Sequence, residues 1–429
     1  MPLLLDIGVA LYHGAIRAAV PFSPKARAWV EGRRGIWQRL EEKSAALHGC
    51  VWMHCASVGE FEQGRPVLEA LLREKPDMPV LVTFFSPSGY EARKGFPLAT
   101  HVEYLPADGP ANAQRFLDLV QPRVVLWVKY EFWPQWLLHL KARGIPAFLI
   151  SGIFRPEQAF FKWYGAAHRG MLRCFAHLFV QDERSRELLA SIGVGNLTVS
   201  GDTRFDRVDA IARADERLPI GAAYHRAMDA PVLIAGSTWP ADEDLLREAF
   251  HGMRPTPRSI VVPHEPSEAA VQRAGMRMPA PVVRWSELER IIDSPPDATG
   301  HSAPEQDPFF ARTLVVDRMG RLARLYRHAD MAYVGGGFGD GIHSLLEAAA
   351  WGRPVIFGPR HAKFAEAAGL IEAGGGFEVR DAAQLRSVLE KLLGDRAALE
   401  AASAAALGYV RERVGATGRI VARIMAAIG

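Results

Sequence analysis

The chain has 429 residues, 49% hydrophobic and 23% charged, a composition that excludes a disordered polypeptide and is long enough for two domains. A formal net charge of +3 and a pI near 8.7 make no demand for nucleic acid and suit acidic partners such as phosphates or anionic lipid. Three cysteines, Cys50, Cys55 and Cys174, have no CxxC spacing and cannot all pair, which points to a reducing compartment.

The N-terminal "MPLLLDIGVALYHGAIRAAV" is apolar, but its charge-free run, residues 7–16, falls short of the ~20 residues that cross a bilayer. It also lacks a basic n-region and an A-x-A-like cleavage site, so no secretory signal is expected. Leu3, Ile7 and Leu11 share one helical face, and Arg17, Lys25, Arg27, Arg33, Arg34 and Arg39 follow. Two readings stay open here: a helix lying in a membrane interface with cations at the headgroups, or a core helix whose stripe packs inward.

From residue 46 the spacing predicts a first domain reaching to 213, with strands over 51–57, 78–85, 124–130, 145–151 and 177–181. Helices are expected over 60–74, 109–120, 133–143 and 182–192. A stretch without strand character, 207–226, precedes a second set of strands over 230–237, 259–263, 313–317, 330–337 and 353–359, in a domain spanning 214–429. Segment 293–308, rich in Pro and Asp, reads as a surface loop, and helices fill about 381–428, the last of which could cross back to the first domain. Val- and Leu-rich strands alternating with helices indicate an α/β chain of two doubly wound parallel sheets, with ligands at the carboxyl ends of the strands and a cleft between domains.

Several strand ends carry candidate chemistry. "HCASVGEFEQG" puts Glu60 in the first turn of a helix, where it is either a cap or an active-site base. "VKYEFWPQW" sets Glu131 beside Trp133 and Trp136, and "SGDTRFD" offers Arg204 as an anion partner or a surface ion pair. In the second half, "AGSTWPADEDLL" offers Ser237 and Thr238 to a phosphate, against a simple capping alternative. Its D-x-D spelling, Asp242 to Asp244, sits where first-turn acids are expected, so a metal reading is rejected. "VVPHEPSEA" brings Pro263 and His264 to another strand end, and the glycines of 335–359, with Gly336 and Gly337, allow close backbone approach to a ligand. His343 and Glu347, four apart, are expected on one helix face. No HExxH, GxSxG or GxxxxGK[ST] is present, and no metal or cofactor is expected.

Together "WVEGRRGIW", "ASVGE", "KYEFWP", "SGDTRFD", "VPHEP", "MGRLARLYRHADMAYVGGGF", "GIHSLLEAA" and "PVIFGPRHAKFAEA", in this order over nearly the whole chain, resemble the 3-deoxy-D-manno-octulosonic acid (Kdo) transferases. The resemblance implies a GT-B fold, two tandem Rossmann-like domains behind an N-terminal membrane-associated segment over 1–45. It also implies transfer of Kdo from CMP-Kdo to a lipid A precursor on the cytoplasmic face of the bacterial inner membrane. It carries over Glu60 as general base, Glu131 as an acid assisting the transition state, and Arg204 where the family has lysine. CMP contacts are implied at Pro263 and His264, where the family more often reads Pro-Arg-His, and at Met319, Gly320 and Arg321. Ser344, Leu345, Leu346 and Glu347 stand in an N-x-x-E segment with serine in place of asparagine. An inverting displacement would need one carboxylate to take the acceptor proton, with the leaving phosphate on the opposite side. A helix N-terminus weakens a carboxylate as a base, and burial or a second acid such as Glu131 would offset that. The alternatives are a UDP-using GT-B transferase or epimerase and an inactive membrane-bound GT-B scaffold; a Rossmann oxidoreductase is disfavoured because no early GxGxxG is present.

Overall fold

The computed structural model describes the backbone of residues 2–129, 131–214, 216, 218–293 and 307–429, with side chains from residue 7 onward. These form two compact units, Met1–Arg207 together with Val414–Gly429, and Val208–Arg413. The surface loop expected over 293–308 lies almost wholly outside the described residues.

In the first unit, strands β1 (Val51–Cys55), β2 (Val80–Phe84), β3 (His101–Tyr104), β4 (Val124–Val128), β5 (Ala147–Gly152), β6 (His177–Val180) and β7 (Leu197–Val199) form one sheet. Its order is β3-β2-β1-β4-β5-β6-β7 and every pairing is parallel. The period of two sorts the side chains onto two buried faces. Trp52, Trp127, Leu149 and Leu178 meet Phe116 and Trp136 on one side. Met53, Val82, Ile150 and Phe179 meet Phe61 and Val67 on the other, joined by Ile420, Val421, Ile424 and Ile428 of the final helix, Ala416–Ile428. That helix begins after Gly415, whose left-handed φ of 105° no side chain occupies comfortably. Its N-terminal donors are met from afar: Asp206 accepts from Gly415 N–H, from Thr417 N–H at 2.7 Å and from the Thr417 hydroxyl at 2.9 Å.

The second unit repeats the plan. Strands β8 (Val232–Thr238), β9 (Arg258–Pro263), β10 (Val282–Arg284), β11 (Thr313–Val315), β12 (Met331–Val334), β13 (Val355–Phe357) and β14 (Gly376–Glu378) run parallel in the order β10-β11-β9-β8-β12-β13-β14. In both units the chain reverses its direction of winding beside the first strand, between β1 and β4 and between β8 and β12, which is where such sheets bind ligands. Strands β3, β7, β10 and β14 were not predicted from the sequence. All four are sheet edges of three or four residues, and β3 carries a fully buried charge, Glu103, held by Arg39 at 2.6 and 2.8 Å.

The N-terminal helix, Pro2–Ala18, does not turn the expected stripe inward. Ile7 and Leu11 are 48% and 69% exposed, and the side chain of Leu3 lies outside the described residues. The inward residue is His13, stacked on Trp29 at 5.5 Å and Trp133 at 5.8 Å. Burial, with Arg33 and Arg17 adding to it, pushes this imidazole down to about 4, so it packs as a neutral ring. Two of the basic residues that follow are engaged by the fold. Arg33 lies 3.9 Å over the Trp29 ring and donates to the carbonyls of Phe85 and Leu105, and Arg39 is held by Glu103. Arg17, Lys25, Arg27 and Arg34 remain exposed. No helix among the described residues is long and apolar enough to cross a membrane.

Candidate active site

Strand β1 ends at Cys55, and the chain turns through Ala56 into the helix Val58–Glu74. Ser57 is the N-cap, its hydroxyl accepting from Glu60 N–H at 3.4 Å. The Glu60 carboxylate returns to accept from Ala56 N–H. One of its oxygens therefore folds back over the start of its own helix, onto the residue before the N-cap, so the capping reading survives.

Glu131 stands just past the end of β4, across the reversal point from β1. Its Oε2 takes the indole N–H of Trp133 at 3.2 Å and faces His54 Nε2 at 2.9 Å, and its backbone carbonyl accepts from the indole of Trp127. Lys129, at the turn between strand and acid, has a left-handed φ of 58°, an uncommon conformation for a residue with a side chain. Burial holds Cys55 well above the usual thiol range, and the charges of Glu60, Glu131 and Glu62 push the same way. Arg204, in the first turn of Thr203–Arg213, is paired with Asp202 at 2.7 Å.

In the second unit the ends of β8, β9 and β12 converge. Ser237 is left-handed at φ 53°, and buried Thr238 accepts His264 N–H on its carbonyl at 3.0 Å. The His264 ring stacks against both Trp239 at 4.8 Å and His343 at 4.3 Å, and these two also touch, the Trp239 indole N–H donating to His343 Nε2 at 3.2 Å. Accepting that bond leaves Nε2 bare. Burial, reinforced by the facing His264, pushes His343 down to about 4, consistent with a neutral ring. His343 precedes the helix that was expected to carry it. The helix is a single turn, Leu346–Ala349, and His343 is drawn to the strand ends by its own N–H to Gly335 at 3.2 Å, so it and Glu347 do not share a helix face.

Asp242 fastens this turn system. Its Oδ1 accepts from the Tyr333 hydroxyl at 2.7 Å, and its Oδ2 takes Trp239 N–H and Gly336 N–H, each at 2.9 Å. Asp244 pairs instead with Arg277 at 2.7 Å, and the two acids of the D-x-D do not converge on a common point. Gly336 is left-handed at φ 93°, and a Cβ on Gly337 would stand 2.6 Å from the backbone of Gly358. Pro263 ends β9, buried; Leu345 and Leu346 are fully buried core, and Ser344 and Glu347 are partly exposed. Met319, Gly320 and Arg321 form the turn after β11, with Met319 73% exposed and Arg321 3.9 Å from Glu289.

The sequence profile of the family described as 3-deoxy-D-manno-octulosonic-acid transferase (kdotransferase) matches residues 30–207, the stretch holding Glu60, Glu131 and Arg204. A 3-deoxy-D-manno-octulosonic acid transferase of Bordetella pertussis is 30% identical over 397 residues, covering 87% of this chain and 86% of that one. The chain belongs to the Kdo transferase family. The transferase of Aquifex aeolicus is 26% identical over 350 residues, 80% of this chain and 86% of its own. Among solved structures, UDP-GlcNAc 2-epimerase of Neisseria meningitidis bound to UDP-GlcNAc is similar at a TM-score of 0.59 and 14% identity, covering 88% of this chain and 99% of that one, a likeness of fold alone. This Kdo transferase family member is thus a glycosyltransferase with two Rossmann-like units of GT-B type. Reading the sequence missed three residues of its candidate site: His54, Trp239 and the tie made by Asp242. A histidine inside a strand that is otherwise apolar was the available signal for the first, and an aromatic directly after Ser-Thr for the second.

Proposed function

We propose that the chain transfers Kdo from CMP-Kdo to a lipid A precursor in lipopolysaccharide synthesis, with inversion, at the cytoplasmic face of the bacterial inner membrane. Membership of the Kdo transferase family supports the sugar and the reaction class. The observation that carries the chemistry is the placement of Glu60 and Glu131 just past the carboxyl ends of the adjacent parallel strands β1 and β4, with Glu131 tied to β1 through His54 at 2.9 Å.

In this reading Glu60 takes the proton of an acceptor hydroxyl as its oxygen bonds to the anomeric carbon of Kdo. The bond from that carbon to the phosphate of CMP breaks, and CMP leaves with the electron pair. Positive charge builds on the sugar as the bond breaks, and the Glu131 carboxylate stabilises it. Turns of the second unit hold the nucleotide: the Ser237–Thr238 end of β8, Pro263 with the stacked His264 and His343, the 319–321 turn, Gly336 and Gly337, and the segment from Ser344 through Leu345 and Leu346 to Glu347, with both leucines contributing backbone only. Arg204, held by Asp202, lends positive charge near the acceptor. Incubation of purified protein with CMP-Kdo and a tetraacylated lipid A precursor should give a product heavier by one or more Kdo residues in mass spectrometry. No mass gain, with UDP rather than CMP raising the thermal midpoint, would remove this donor.

Attachment to the membrane surface is supported by apolar side chains left in solvent: Ile7, Leu11, Tyr12, Phe22, Trp163 and Tyr164. Tyr12 also lines a pocket of about 490 Å³ with Phe132, Trp133 and Phe160. With exposed Arg17, Lys25, Arg27 and Arg34 nearby in sequence, this composition suits an anionic interface. The double change Leu11→Glu and Trp163→Ser should reduce co-sedimentation with phosphatidylglycerol vesicles by about tenfold or more, the loss of two inserted side chains. The thermal midpoint should stay within about 2 °C, because both positions are exposed. Unchanged partitioning would place the membrane contact elsewhere or nowhere.

A further inference from the structure

We propose that His54 is a positioning residue: it fixes the rotamer of the Glu131 carboxylate so that one oxygen, Oε1, is presented for reaction. The inference rests on the reading above, in which Glu131 acts at the sugar.

His54 is the fourth residue of β1 and is fully buried, its ring 4.5 Å from that of Trp127. An imidazole in such a place is costly unless both nitrogens are bonded, and both are. Nδ1 lies 3.0 Å from the Thr83 hydroxyl and Nε2 lies 2.9 Å from Glu131 Oε2. A carboxylate oxygen only accepts, so Nε2 carries a proton and donates it. The other end of the ring is organised too. Thr83, equally buried on the neighbouring strand β2, accepts the indole N–H of Trp52 at 2.8 Å, which leaves its own hydroxyl proton for Nδ1. A chain of hydrogen bonds therefore runs from Trp52 through Thr83 and His54 to Glu131, anchored in two central strands by register rather than by a loop.

Oε2 receives a second donor, the Trp133 indole N–H at 3.2 Å. Among the described residues no hydrogen bond reaches Oε1, while the side chain keeps 16% of its surface open. One oxygen is thus held from two directions by rigid rings and the other is left for a ligand. Geometry of this kind matters to rate, because a misplacement of about 1 Å can cost about 100-fold. If the imidazole served only to fill the core, any well-packed replacement would do.

The test compares His54→Gln, His54→Asn, His54→Phe and Glu131→Gln with the parent in the CMP-Kdo transfer assay. Glutamine places its amide near the position of Nε2 and should keep kcat within about fivefold of the parent. Asparagine reaches only the position of Nδ1, and phenylalanine neither, so both should lose about 30-fold or more in kcat with KM for CMP-Kdo within about twofold. Equal activity of the Gln, Asn and Phe variants would overturn the positioning role. Should the Phe variant fail to fold, the Gln and Asn pair decides, with thermal midpoints measured alongside. The imidazole ¹⁵N shifts of the parent give a readout independent of turnover: a protonated Nε2 supports the inference and a bare Nε2 overturns it. An inactive Glu131→Gln beside a fully active His54→Phe removes the positioning role alone. Parental turnover in Glu131→Gln removes the reading of Glu131 and the inference with it.

Discussion

Replacing Glu60 with glutamine should abolish transfer while leaving the fold and donor binding in place. The prediction is sharp because the capping contact uses an acceptor oxygen, and the amide of glutamine still offers one to Ala56 N–H. What glutamine cannot do is take a proton, so kcat should fall by about a thousandfold, within the range that a positioned general base supplies. The thermal shift produced by CMP should be unchanged, since the nucleotide contacts proposed above lie on the second unit. Glu60→Ala, in contrast, loses both roles and should also destabilise the protein by about 1 kcal/mol through the helix start. Near-parental turnover in Glu60→Gln would strip the residue of its role as base and leave it a cap.

The second large effect is expected from Gly337→Ala. The added Cβ would sit 2.6 Å from the Cα and N of Gly358, and backbone cannot swing aside as a side chain can. The ends of β12 and β13 must part, at about 2 to 3 kcal/mol or more, and the Gly336 N–H that Asp242 holds at 2.9 Å would shift with them. A fall of at least about 100-fold in CMP affinity is expected together with a lower thermal midpoint, the affinity being the larger loss if the turn is part of the nucleotide site. Gly320→Ala makes the contrast. Its φ of 76° costs about 1 kcal/mol, yet no atom lies within 4 Å of a built Cβ, so it should be milder. Equal CMP affinity in parent and Gly337→Ala would detach the glycine turn from the ligand.

The central strands were legible because each is a run of apolar residues long enough to be buried on both faces. The edge strands were not, for the same reason inverted: Gly376–Glu378 or Val282–Arg284 offers three residues, one of them charged, and only pairing with β13 or β11 makes them strands. At the site, strand ends followed by polar helix starts placed Glu60, Ser237 and His264 correctly on their elements. What could not be read was convergence. The His264, His343 and Trp239 stack joins residues 104 apart in sequence, and no local pattern separates it from three unrelated rings. The helix face assigned to His343 and Glu347 failed because spacing assumes a helix already begun, whereas a backbone bond to Gly335 holds His343 outside it.

The final helix, with Ile420, Val421, Ile424 and Ile428 in the core on one face of the first sheet and beside the helix Val58–Glu74, has a consequence for the order in which the molecule is made. A ribosome delivers the first sheet early and this helix only after the whole of Val208–Arg413 has emerged. Until then one face of the first sheet is without part of its cover, and Asp206, whose carboxylate later meets Gly415 and Thr417, waits with its partners unmade. The unit begun first therefore matures last, and its nascent form is the one that carries exposed apolar sheet to any chaperone at the tunnel exit.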